Sequence, residues 1–200
     1  MAVLGELLFH RRDGVGLDDV LRHQGEQGVR DAVDGLPDTV FSSESDDALT
    51  GRLVKQLSIE PLKLLLDQAK AEVKEITLEI QDVFHERARV KGLRATKAIP
   101  FTGDPNLWAF RPNPYDFNPP YGQVSGQKVI LGMDVREHDA EQAASHIKHA
   151  IATIEKYIKT QEVEINTFNS GLAAKVLPQI QLRRARLGKA TDLLKKLQAD

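Results

Sequence analysis

Cysteine is absent from the 200 residues. That excludes disulfides, thiolate nucleophiles and cysteine-ligated zinc or iron–sulfur centres. No apolar run approaches the roughly 20 residues that a membrane-spanning helix needs. The stretch "MAVLGELLFHRRDG" has no basic segment followed by a long apolar core, so no secretory signal is expected. These absences fit a cytoplasmic setting. Net charge is only -2, which excludes a generic polyanion binder. No G-x-G-x-x-G follows a strand, and there is no Walker loop, nucleophile elbow or His-Glu-x-x-His. No cofactor and no catalytic residue is expected from the pattern.

What is present is unevenly distributed. Residues 1–50 hold eleven acidic side chains against four arginines. Residues 171–200 hold seven basic side chains against two acidic ones. An acidic head and a basic tail attract each other within a chain or between chains; the alternative is two solvated helix faces.

Residues 1–60 read as short helices separated by glycine, with Leu17, Val20 and Leu21, then Val29, Val33 and Leu36, at helical spacing. "SSESDDALTGRLVKQL" carries a Ser or Asp N-cap, acidic residues in the first turn, and Leu49, Leu53, Val54 and Leu57 on one face. Pro61 ends or redirects that helix.

Residues 61–137 read as an antiparallel sheet. Ile76, Leu78 and Ile80 alternate with polar residues, and so do Val129, Leu131, Met133 and Val135 in "QKVILGMDV". These two runs are expected to share one buried face. "LRATKAIPF" and "LWAFRP" are shorter candidate strands, and "LKLLL" is an edge strand or a helix tail. No long helix separates the strands, so parallel pairing is not expected.

Residues 138–200 read as a helical hairpin. Ala143, Ile147, Ile151, Ile154, Ile158, Ile165 and Phe168 form one stripe, about 45 Å long for 30 residues at 1.5 Å each. "NSG" at 169–171 reads as a C-cap and turn. A second helix then carries Leu172, Val176, Ile180, Leu187, Leu194 and Leu197, with Pro178 near its start or kinking it. The class is therefore α+β: short N-terminal helices, a small antiparallel sheet and a long C-terminal hairpin packed on it.

Residues 99–122, "IPFTGDPNLWAFRPNPYDFNPPYG", hold six of nine prolines and the one tryptophan. "FTGDPN" is a turn, since Gly103 allows positive φ, Asp104 makes an Asx-turn and Pro105 fixes φ. The prolines that follow forbid a regular central strand. Trp108, Tyr115 and Tyr121 then either pin a structural corner or form an aromatic platform for a partner or a base. Arg183, Arg184, Arg186 and Lys189 in "LRRARLGKATDLLKK" are the candidate contacts to phosphates or to a partner. His146 and His149 are spaced i,i+3 but lack a third ligand. Asp67 with Glu72 and Lys74 is spaced too tightly for a nuclease metal site.

Four segments together carry a resemblance. "SIEPLKL", "IPFTGDPNLWAFRPNPYDFNPPYGQVSGQKVIL", "IEKYIKTQEVEINTFNSGL" and "LRRARL" resemble the N-terminal region of a group of uncharacterised bacterial proteins. That group has a similar "PFTGDP…RP…NPP" block, an "I…YL…Q…FN…L" helix and an Arg-rich helix. The similarity spans most of residues 50–190 and departs after Asn169, where Pro178 is displaced. Members often continue into restriction-endonuclease-like or signalling domains. The resemblance implies a setting in anti-phage defence. The absent catalytic constellation and the long amphipathic hairpin point to a non-catalytic interaction or scaffold module there, with a protein partner or a homo-oligomer, and no membrane is expected. The resemblance transfers no catalytic residue. The alternatives from the residues are a nucleic-acid-binding module and an enzyme with a scattered site.

Overall fold

The computed structural model describes residues 2–10, 13–81, 87–112 and 118–198. The fold is mixed, with an antiparallel sheet, short N-terminal helices and one long C-terminal helix. The chain separates into two compact units, Met1–Leu17 with Glu60–Glu162, and Asp18–Ile59 with Val163–Asp200.

The first unit is built on a 7-stranded antiparallel sheet. Its strands are β1 (Ala2–Val3), β2 (Glu6–Leu7), β3 (Lys63–Leu64), β4 (Lys70–Gln81), β5 (Arg87–Thr102), β6 (Tyr121–Ser125) and β7 (Lys128–Arg136). The central strands β5 and β7 pair with each other. β6 and β1 lie along the far side of β7, β2 extends β6, and β3 and β4 line the far side of β5. The expected alternation is present in β7, where Val129, Leu131 and Val135 are buried.

The expectation that Ile76, Leu78 and Ile80 share this face is corrected by the register. Ile76 pairs with Gly92 and Gly92 with Arg136, whereas Val135 pairs with Leu93. Directly opposed residues point to the same side of a sheet, and a one-residue offset reverses the side. Ile76 and Leu78 therefore lie on the opposite face, half-buried; the side chain of Ile80 lies outside the described residues. Leu78 sits over Gly92, where an added Cβ would come within 2.5 Å of its Cδ1.

"LWAFRP" is not a strand. Pro105–Ala109 forms a 3-10 turn, capped by Asp104, whose side chain accepts from the Asn106 N–H at 2.9 Å. Pro105 and the Asx cap already favour a turn, and they override the β preference of Trp108 and Phe110. Gly103 turns the chain at φ 95°. A Cβ there would stand 2.2 Å from the Pro61 carbonyl oxygen, so the close approach requires glycine.

In the second unit, α1 (Leu17–His23) runs through a five-residue π segment into α2 (Val29–Asp34), followed by α3 (Val40–Ser43) and α4 (Asp46–Leu57). The expected cap of α4 is present, with Ser45 Oγ accepting from the Ala48 N–H. Val29, Val33, Phe41, Leu49 and Leu53 are buried, as are Ile165, Leu172, Val176 and Ile180 of the second half of α5.

The helical hairpin is corrected to a single helix. α5 runs unbroken over Ala140–Gln198, 59 residues, with Asn169, Ser170, Gly171 and Pro178 inside it. An interior glycine costs a helix only about 1 kcal/mol relative to alanine. The apolar stripe passes through "NSG" without a change of phase, since Ile165, Phe168, Leu172, Val176 and Ile180 are all buried. Tertiary burial outweighs the local turn signal. Without a returning helix, Leu193, Leu194 and Leu197 are exposed rather than packed on the isoleucine stripe.

The Asn169 side chain is committed elsewhere. Its Oδ1 accepts from the Ile59 N–H at 3.0 Å and its Nδ2 donates to the Ile59 carbonyl at 2.9 Å. Asn169→Ala leaves both backbone groups without these partners and is expected to cost about 1–3 kcal/mol, read as a lowered urea midpoint with unchanged slope.

Candidate functional site

Two aromatic and carboxamide clusters hold the first unit together around residues 99–122. Trp108 is only 4% exposed and packs with Phe9 and Phe101 at ring-centroid distances of 5.1 and 5.3 Å. Phe9 also meets Tyr157 of α5 at 4.9 Å. Gln161, one helical turn further along, is buried, and its Nε2 donates to the carbonyls of Leu107 at 3.0 Å and Phe110 at 2.6 Å. Trp108 therefore belongs to the packed interior. Its indole N–H finds no hydrogen-bond partner there.

Tyr121 opens β6, pairs across to Leu7, and is 45% exposed. Tyr115 lies outside the described residues. The basic candidates are in the second unit. Arg183 ion-pairs with Asp38 at 2.8 Å and reaches Asp34 at 4.0 Å. Arg184 contacts the Asp46 carboxylate at 2.8 Å and donates to the carbonyls of Glu44 and Phe41. The acidic head and basic tail thus meet inside one chain. Arg186 and Lys189 are exposed. Among the described residues no group of three or more His, Asp or Glu side chains could hold a metal ion.

An apolar opening lies elsewhere in the first unit. The odd-numbered face of β4 and β5 and the first turns of α5 enclose a groove of about 610 Å³. Its floor is Ala71, Val73, Leu93 and Ala95, and its opposite wall includes Ala144, Ile147 and Ile151 of α5. Alanine on both walls leaves the space between helix and sheet unfilled, which larger side chains would close. Lys97, Lys148 and Glu155 also line it, so the apolar floor has a mixed-charge border. Val73 is 63% exposed at its outer margin.

The groove borders an edge strand. β4 is 12 residues long and pairs with β5 on one side; among the described residues its other side pairs with nothing. The even-numbered face of this strand carries Lys70, Glu72, Lys74, Ile76 and Leu78. Glu72 and Lys74 form an exposed ion pair at 3.0 Å on the strand surface. Further into the same face, Arg94 makes a two-point contact with the largely buried Asp134, Nε to Oδ1 at 2.7 Å and Nη2 to Oδ2 at 2.8 Å. The hydrogen bond to Asp134 raises the Arg94 pKa above its ordinary value.

Pattern reading did not reach Gln161 or the groove, and it assigned Asn169 to a turn. Gln161 had a visible signal, because it occupies a stripe position between Ile158 and Ile165 where an apolar residue is expected. The groove had none, since it depends on strand register. Comparison with protein-family models, with curated proteins and with solved structures finds no match to the chain. No helix among the described residues is long and apolar enough to cross a membrane.

Proposed function

We propose that this chain is a non-catalytic interaction and scaffold module of a bacterial defence or nuclease-linked system, and that its working surface is the groove beside β4. The observation that carries the reading is the apolar, alanine-walled opening of about 610 Å³ with its charged border. Apolar floors with polar rims mark protein contact sites. The resemblance of residues 50–190 supplies the biological setting. The nucleic-acid reading has less support, because Arg183 and Arg184 are engaged with Asp38, Asp46 and backbone carbonyls. Exposed Arg186 and Lys189 remain its best residues.

The experiment is a paired one. Ala144 is exposed on the α5 wall, so Ala144→Trp fills the groove at a stability change within about 0.5 kcal/mol. The expected result is loss of the gene's effect on phage plating with the urea midpoint kept. Hydrolysis of DNA, RNA or nucleotides by the purified chain would overturn the non-catalytic reading.

A further inference from the structure

We infer that the unpaired edge of β4 joins a second copy of this chain, in one register centred on Val73, to form a two-fold dimer with a continuous sheet. The inference rests on the interaction reading and names its partner. A 12-residue edge strand whose other side pairs with nothing among the described residues is a template for another strand. Proteins blunt such edges with charged side chains or with proline; β4 has no proline, but it does carry charges. Its charges alternate in sign, as Lys70, Glu72 and Lys74 along the outer face. Alternating charges do not repel every partner strand; they select a register.

The selection can be followed residue by residue. A two-fold axis perpendicular to the sheet sets β4 antiparallel to its copy and keeps each face on its own side. Centring the axis on Glu72 opposes glutamate to glutamate. Centring on Lys74 opposes lysine to lysine, and centring on Glu75 again opposes two glutamates. Centring on Ile76 pairs no charges within β4, and centring on Ala71 also opposes Lys70 to Glu72 but overlaps only residues 70–72 of the strand. Centring on Val73 places Glu72 opposite the partner's Lys74, and Lys74 opposite the partner's Glu72. Unlike charges directly opposite stabilise a strand pair and like charges destabilise it. Both side chains are well exposed, at 59% and 62%, and free to exchange their present contact for the one across the axis.

The opposite face of the same strand agrees. In this register Val73, 63% exposed, meets its own copy on the axis. Ala71 and Val73 are part of the apolar groove floor. The two grooves then run together across the axis on one side of the joined sheet, with Val73 against its own copy at the centre and Ala71 opposite the partner's Glu75.

Because the chain has no cysteine, a single introduced thiol reads the register directly. Opposed residues of an antiparallel pair have Cα atoms about 4.5–5.5 Å apart, within the span a disulfide bridges, about 4.4–6.8 Å. Val73→Cys is expected to give a covalent dimer on mild oxidation. Thr77→Cys is expected to give none, since its two copies would lie about 26 Å apart at 3.3 Å per residue. Sedimentation should show a wild-type dimer. Glu72→Lys and Lys74→Glu should each weaken it roughly tenfold or more. The double swap, or a mixture of the two single variants, should restore it, because unlike charges again face each other. A wild-type chain that stays monomeric at about 100 μM, far above the Kd of a specific dimer, would overturn the inference. So would a dimer indifferent to both single changes, or equal cross-linking at positions 73 and 77. A monomer would leave the interaction reading standing if Ala144→Trp still abolished the plating effect, and nuclease activity would remove that reading without touching the dimer.

Discussion

Trp108→Ala is expected to lower the stability of the first unit by about 3–5 kcal/mol, visible as a large drop in the urea midpoint. The side chain is almost fully enclosed by Phe9, Phe101 and the 3-10 turn that carries it. Removing it leaves a cavity that cannot collapse easily. Phe101 is tied to its neighbour strands by backbone pairing, and the Phe9 N–H is bonded to the Trp108 carbonyl. The Gln161 carboxamide also holds the turn at Leu107 and Phe110. Trp108→Phe should cost much less. It keeps most of the ring and removes an indole N–H that is buried without a partner, and an unsatisfied buried donor carries a penalty of about 1–3 kcal/mol. A wild-type midpoint for Trp108→Ala would mean that Trp108 serves a binding surface rather than the interior.

The second large effect separates two leucines that look alike in the sequence. Leu131→Asp should destabilise by several kcal/mol, about 4 or more, as expected for a carboxylate forced into a sealed apolar core. Leu131 is 1% exposed on the helix side of the sheet. Leu78→Asp should cost about 1 kcal/mol or less, in the range of half-exposed substitutions. Leu78 lies on the other face, half-buried over Gly92. Thermal melts of the two variants check the register directly. Equal losses would put both leucines on one face and contradict the pairing of Ile76 with Gly92.

Both results bear on the groove, because the register that sends Leu78 outward is the one that brings Ala71, Val73, Leu93 and Ala95 to its floor. The same offset puts Glu72 and Lys74 together on the opposite face, where the proposed two-fold contact uses them. Stability measurements on the sheet and association measurements on its edge therefore test connected consequences of one pairing.

Much of the local structure could be read from neighbouring residues. The antiparallel class, the capped α4, the "FTGDPN" turn and the helical run from residue 140 all follow from signals within a few positions of each other: alternation, an N-cap serine, an Asx–Pro pair and a 3.6-residue period. Of the two readings that the proline-rich segment left open for Trp108, its burial agrees with the structural corner. The attraction between acidic head and basic tail was legible as charge, and Arg184 with Asp46 realises it within the chain.

Long-range terms decided the rest. Strand register depends on which residues sit across from one another, and alternation alone leaves two choices of face; pairing of β4 with β5 and of β5 with β7 chose the one that splits Ile76 from Val129. The "NSG" triplet is a turn by local preference, yet the helix continues through it. Burial of Phe168 and Leu172 on both sides exceeds the small propensity cost, and Asn169 finds its partners on Ile59, 110 residues away. The groove arises from small side chains on two elements far apart in the chain. Its walls are alanines that neither strand nor helix pattern marks as special until packing sets them facing each other.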